Sequence, residues 1–163
     1  MSLGAPHQNR GTALMEFTFL TPLLVLLFLG TWQFGYAYYL YNELEQAVRA
    51  GARYASARTY DSGTSTPSAG FIDEVQNVVV YGDPVPAINA TPVVPGLAKT
   101  NVTVNASFYA NGFASAAGQN MMVPTRVAVS ITGFSVGTFG LIPLQGKPRT
   151  EFPYVGVFKP PMP

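Results

Sequence analysis

Residues 11–41 read GTALMEFTFLTPLLVLLFLGTWQFGYAYYLY, and after Glu16 no charged side chain occurs until Glu43. A bilayer core needs roughly 20 apolar residues in helical form, so this run is long enough to span one. A carboxylate in such a run costs about 2.5–3.5 kcal/mol at the bilayer centre on insertion scales, which marks Glu16 as functional rather than incidental. Pro22 removes a backbone donor and predicts a kink or a loosened turn. The hydroxyls of Thr18 and Thr21 are near enough to satisfy the carbonyl it frees. Trp32, Tyr36, Tyr38, Tyr39 and Tyr41 cluster at the far end, as an interfacial aromatic belt does. Every face of the run is apolar or aromatic, which favours a span over an amphipathic core helix.

On the N-terminal side, Met1 to Arg10 is short and polar and ends on an arginine. It reads as a cytoplasmic leader. A secretory signal peptide fits poorly, because its apolar core is about 7–15 residues and its cleavage site follows that core. Here the small residue, Gly11, precedes the run. On the other side the helix continues as NELEQAVRAGARYASAR, residues 42–58, with no proline and one glycine. Glu45 and Arg49 stand four apart with the acid first, the favourable helical order. Ala47, Gly51 and Ala55 form a smooth stripe against which another helix or a sheet could approach closely. Gly51 costs about 1 kcal/mol against alanine in a helix interior, so a packing reason is expected for it. A helix from Leu14 to Arg58 would be roughly 65 Å long at 1.5 Å per residue. That is about twice the hydrocarbon thickness, so half of it stands outside the membrane.

Residues 59–70 (TYDSGTSTPSAG) are a loop by composition. In FIDEVQNVVVY, residues 71–81, the apolar positions Phe71, Val75, Val78 and Val79 have helical spacing, followed by Gly82-Asp83-Pro84 as a stop. A strand over 78–81 is the rival reading. Residues 85–97 hold three prolines and make an irregular connection. From Thr100 the period becomes two. Val102, Val104 and Ala106 predict one strand, and Val127, Val129 and Ile131 a second. FPYVGVF, residues 152–158, predicts a third, with Pro153 and Gly156 suggesting an edge. Residues 111–120 read as a glycine-, alanine- and serine-rich loop. The fold class is therefore α+β: a long N-terminal transmembrane and stem helix with a small C-terminal antiparallel sheet.

Composition narrows function. Nine Lys and Arg against eight Asp and Glu give a net charge of +1, with no electrostatic footprint for nucleic acid. With no cysteine, disulfides, zinc-thiolate sites and thiol nucleophiles are excluded together. The single histidine, His7, lies in the leader. Nothing gathers serine, lysine and carboxylates into a reactive group, so neither an enzyme, a cofactor nor a metal site is expected. The Asn-x-Ser/Thr triplets at Asn89, Asn101 and Asn105 are better explained by chance than as glycan acceptors. Asp73 and Glu74 read as a solvated helix surface.

The remaining motif is Gly11-x-x-x-x-Glu16-Phe17, between an arginine-ended leader and an uncharged span. It resembles the processing site of type IV pilin-like precursors, cut after the glycine by a prepilin peptidase. The wider sequence is similar to the TadE family of pseudopilins of tight-adherence (Tad) pilus systems. The likeness is dense over residues 11–58 and extends collinearly through VQNVVVYG, TRVAVSITG and FPYVGVF. Phe17 stands where the related Flp major pilins prefer tyrosine, which points away from a major pilin.

The resemblance implies cleavage after Gly11, a new α-amino group on Thr12, and pairing of Glu16 with the N-terminal amine of a neighbouring subunit. It divides the chain into a leader (1–11), a transmembrane helix (12–42), a helical stem extension (43–60) and a β-rich extracytoplasmic domain (61–163). Its implied partners are the bacterial inner membrane, the peptidase and other pilin or pseudopilin subunits. The arginine count complicates orientation, since Arg10 precedes the span and Arg49, Arg53 and Arg58 follow it. Those three lie two or more turns past Tyr41, with Glu43 and Glu45 between, which favours the domain outside. An unprocessed single-pass protein with an extracytoplasmic binding domain is the alternative.

Overall fold

The computed structural model describes residues 10–108, 113–114, 120–121, 124–137 and 142–159. Most of the leader, and most of the loop expected at 111–120, lie outside them. The architecture is α+β and pilin-like, with one long apolar helix carrying a small antiparallel sheet. Helix α1 runs unbroken from Arg10 to Ala57 and α2 from Ala69 to Tyr81. A 3-10 turn at Lys99–Asn101 leads into β1 (Val102–Phe108). The short β2 (Phe113–Ala114) and β3 (Asn120–Met121) pair with each other. Strands β4 (Pro124–Val136) and β5 (Ile142–Pro153) complete the main sheet, ordered β1-β4-β5 and antiparallel throughout.

Pro22 sits inside α1 without ending it. The neighbouring hydroxyls do not cap the carbonyl it frees. Thr18 donates to the Leu14 carbonyl at 2.7 Å and Thr21 to the Phe17 carbonyl at 2.6 Å, each one turn back along its own helix. The expectation that they serve the Thr18 carbonyl is thus corrected.

From Ala37 onward α1 acquires a buried face. Ala37, Leu40, Leu44, Val48, Ala52 and Ala55 fall three or four residues apart and all lie in the core. This is the apolar stripe of a helix packed on one side. Full burial of side chains such as Leu44 and Val48 stabilises by about 1.5–3 kcal/mol each. The second half of α1 is therefore the central element of the domain, not a stalk beneath it.

Residues 69–81 are helical, which decides against the strand alternative. Ser68 caps the start by accepting from the Phe71 N–H at 3.1 Å. Gly82 ends it with φ of 77°, a left-handed conformation that favours glycine, and its N–H reaches the Val78 carbonyl. Val75 and Val79 turn inward onto α1.

In β4, Val127, Val129 and Ile131 are fully buried, as their alternation predicts. Ala128 and Ser130 on the other face are buried as well, in keeping with a central strand. The third strand is not where the alternation placed it. Strand β5 begins at Ile142, and only Phe152 and Pro153 of the predicted segment belong to it. Pro143, Gly146 and Pro148 had hidden this strand, and its register against β4 shifts at Thr132, where one strand bulges past the other. Of the pair Asp73-Glu74, Asp73 is exposed, as a solvated surface predicts, and meets Lys99 at 2.7 Å, whereas Glu74 departs from that reading: it is half-buried and bound by Arg58. Asn101 uses its amide to hold the Gly133 carbonyl (3.0 Å) and the Ala98 N–H (3.1 Å), a structural use in place of a glycan.

Candidate assembly interface

The first half of α1 has no cover within the chain. The most apolar 18-residue window between Gly11 and Ala57 is 0% buried, and this helix is long and apolar enough to cross a membrane. Phe19 is 78% exposed and Phe28 is 72% exposed. Soluble monomers rarely expose contiguous apolar patches beyond a few hundred Å². A helix bare on all sides for about seven turns therefore needs lipid or other helices around it.

Gly11, Thr12, Glu16 and Phe17 lie at the open tip of this stem, all exposed. A β-carbon on Gly11 would meet nothing within 4 Å. Thr12 and Glu16 are four apart and share a helix face. Among the described residues Glu16 has no ion-pair partner. Its neighbours Leu14, Met15 and Phe17 are 64–67% exposed, so the carboxylate stands alone within an apolar surface.

The structure puts the small-residue stripe elsewhere, about 50 Å along the same helix. Ala47, Gly51 and Ala55 are buried, and Gly51 faces α2. A β-carbon there would collide with Val79 Cγ2, and the Val75 carbonyl lies 3.6 Å away. The stripe serves packing inside the chain and does not join the tip.

Sequence reasoning missed the lock at the far end of the helix. Residues 154–159 strap across the end of α1. The N–H of Val155 donates to the Ser56 carbonyl, Tyr60 N–H to Val157, and Lys159 N–H to Tyr60, each at 2.9 Å. The Tyr154 hydroxyl accepts from the Tyr60 N–H at 2.9 Å and lies 2.8 Å from the Arg58 carbonyl, to which it can donate. The last carbonyls of a helix lack partners within it, and here the strap supplies them. Gly156 is required by this close approach, since a β-carbon would strike the Arg58 carbonyl. Tyr60 is fully buried among Phe71, Phe108, Tyr154 and Phe158, with ring centroids 5.5–6.3 Å apart. Burial pushes its phenol up to about 12, and burial also raises that of Tyr154. Beside it, Tyr54 donates to Glu74 at 2.7 Å, and burial followed by this bond raises its phenol. The alternating aromatics of FPYVGVF were the available signal, but they pointed to a sheet neighbour rather than a helix end.

Residues 11–53 match the family model described as TadE-like protein. The resemblance drawn from the sequence thus holds over the stem and the turns that enter the domain core. No curated protein and no solved structure matches the chain.

Proposed function

We propose that the chain, TadE-like over residues 11–53, is a pilin-like structural subunit, a pseudopilin or minor pilin of a Tad-type pilus or secretion filament. The observation that carries this is the bare stem, long and apolar enough to cross a membrane; in this reading lipid encloses it at one stage and neighbouring stems at another. The subunit acts by packing, with no reaction of its own. The stem is anchored in the bacterial inner membrane with the sheet domain on the extracytoplasmic side. Orientation is supported by the fate of the arginines. Arg49 pairs with Glu45 at 2.6 Å and Arg58 with Glu74, both within the folded domain.

A prepilin peptidase cutting after Gly11 removes Arg10 from the positive end of the helix dipole and leaves an α-amine on Thr12. Glu16 then lies within about a turn of the new N-terminus, where a carboxylate is favoured by about 0.3–1 kcal/mol. Across a stem–stem contact it meets the amine of a neighbour. An unpaired carboxylate in such a low-dielectric bundle is strongly unfavourable, so the pair fixes the axial register of subunits more than it adds net stability.

One observation favours the alternative of an unprocessed single-pass protein: among the described residues, Arg10 and Gly11 on both sides of the expected cut are already helical. Mass spectrometry of the N-terminus, on membrane and sheared-filament fractions, separates the two. Thr12 as first residue is the expected result, and Met1 in both fractions would refute processing.

A further inference from the structure

We propose that the end of the sheet domain from which the stem emerges is itself a membrane-contacting surface, seated on the headgroup layer. The inference rests on the reading of the stem as a bilayer span. The far end of β4 comes down onto α1 within the apolar run. A β-carbon on Gly137 would lie 2.8 Å from Gln33 Nε2 and 3.9 Å from the Ala37 β-carbon. The domain therefore reaches the level of Gln33, well short of Tyr41, where the apolar run ends.

On either side of this contact is an open hollow, the first of mixed polarity and the second almost wholly apolar. One, of about 390 Å³, is lined by Trp32, Tyr36, Pro95 and Phe134 among others. The other, of about 290 Å³, lies between Phe34, Tyr38 and Ile142. Both are open and continuous with the exposed stem, with Trp32 63% and Phe34 71% exposed. Amphipathic aromatic rings at this depth suit the boundary between acyl chains and headgroups.

Lengths agree with this seating. A hydrocarbon core of about 30 Å takes about 20 helical residues, which counted back from Trp32 end near Ala13. That leaves Glu16 about one turn inside the opposite face, close enough for its carboxylate to reach headgroups. The next charge on the stem, Glu43, lies about 15 Å above Gln33. No charge on the stem opposes contact at the rim.

The chain has one tryptophan and no cysteine, so Trp32 and single introduced cysteines can each report depth. The experiment reconstitutes the full chain in phosphatidylcholine–phosphatidylglycerol vesicles carrying nitroxides either at the headgroup or deep in the acyl chain. Ser135→Cys and, at the strap, Val155→Cys carry the fluorophore NBD; both native side chains are exposed. The expected result is stronger quenching of Trp32 and of the label at 135 by the shallow nitroxide, and at least fivefold less quenching at 155. Quenching of Trp32 with position 135 as unaffected as 155 would overturn the seating while leaving the span intact. An unquenched Trp32 would overturn the span and the seating with it. Quenching at 135 that disappears as protein is concentrated in the vesicle would assign the rim to a second copy of the chain, and so overturn the lipid assignment.

Discussion

Val79 Cγ2 occupies the space that a β-carbon on Gly51 would need. Two opposed effects follow for substitution at Gly51. Alanine gains about 1 kcal/mol of helix propensity, whereas overpacking costs about 1–3 kcal/mol. Because Val79 is fully buried and cannot step aside into solvent, the clash is expected to win. Gly51→Ala should lower stability modestly and Gly51→Val by several kcal/mol, read from thermal unfolding in detergent micelles. A Gly51→Ala protein more stable than the parent would show that α2 yields without cost.

Tyr154 closes the strap over the helix end. Tyr154→Phe keeps the ring and removes the hydroxyl that receives the Tyr60 N–H and faces the Arg58 carbonyl. The Tyr60 N–H keeps its bond to the Val157 carbonyl, so the group that loses a donor is the Arg58 carbonyl, at a cost of about 1–3 kcal/mol. Amide hydrogen exchange at Tyr60, Val155 and Lys159 should accelerate before that of the β4 core. Uniform acceleration across the domain would mean the strap does not open independently.

Alkali should unfold the domain through the same cluster. The phenols of Tyr60 and Tyr154 are raised from 10.0, that of Tyr60 to about 12, because burial disfavours phenolate. A folded-state value above the unfolded one means the stabilisation is complete below pH about 10 and is lost as pH rises towards 12. Circular dichroism and phenolate absorbance should change together in that window. Ionisation of the full set of tyrosines near pH 10 with the fold intact would contradict the buried position of Tyr60.

The ion pair on the stem helix and the one joining its end to α2 should differ in worth. Arg49 and Glu45 are 65% and 37% exposed, while Arg58 and Glu74 are 30% and 28% exposed. Exposed helical pairs contribute about 0.3–0.5 kcal/mol. Glu45→Gln should fall within that range, and Glu74→Gln should cost more, since Tyr54 also loses a charged acceptor. Equal effects in urea titrations would reduce the inner pair to a surface one.

At the tip, Glu16→Ala should permit insertion and cleavage but impair assembly, and a bulky residue at Gly11 should leave an unprocessed, membrane-retained precursor. Both are read from band size and from the sheared-filament fraction. Normal piliation by the Glu16→Ala chain would remove the proposed role of the carboxylate.

Much of this was legible because it is local. The apolar run, the helical spacing of Phe71, Val75 and Val79, and the alternation about Val129 each repeat a short period that one face of one element imposes. Strand β5 was hidden because Pro143, Gly146 and Pro148 accompany a bulge, where no period survives. Residues 152–158 read as a third, edge strand; the chain there does alternate, with Phe152, Tyr154, Gly156 and Phe158 half-buried and Pro153, Val155 and Val157 exposed, but only Phe152 and Pro153 belong to β5. Their partner was misassigned because hydrogen bonding to Ser56 and Tyr60, about a hundred positions away, leaves no trace in local spacing. At the tip, Glu16 stood out by its charge alone, whereas the rim at Gln33 and Gly137 exists only once β4 has folded onto the helix.

The continuity of α1 from Arg10 to Ala57 makes the domain a crank on a rigid shaft. No loop between Gln33 and Leu44 can absorb a rotation. A slip of one residue in how the stem sits against its surroundings therefore moves the sheet by about 1.5 Å along the axis and swings it through about 100°. Whatever grips the bare half of the helix thereby sets the direction in which the strap, the Tyr60 cluster and β5 face.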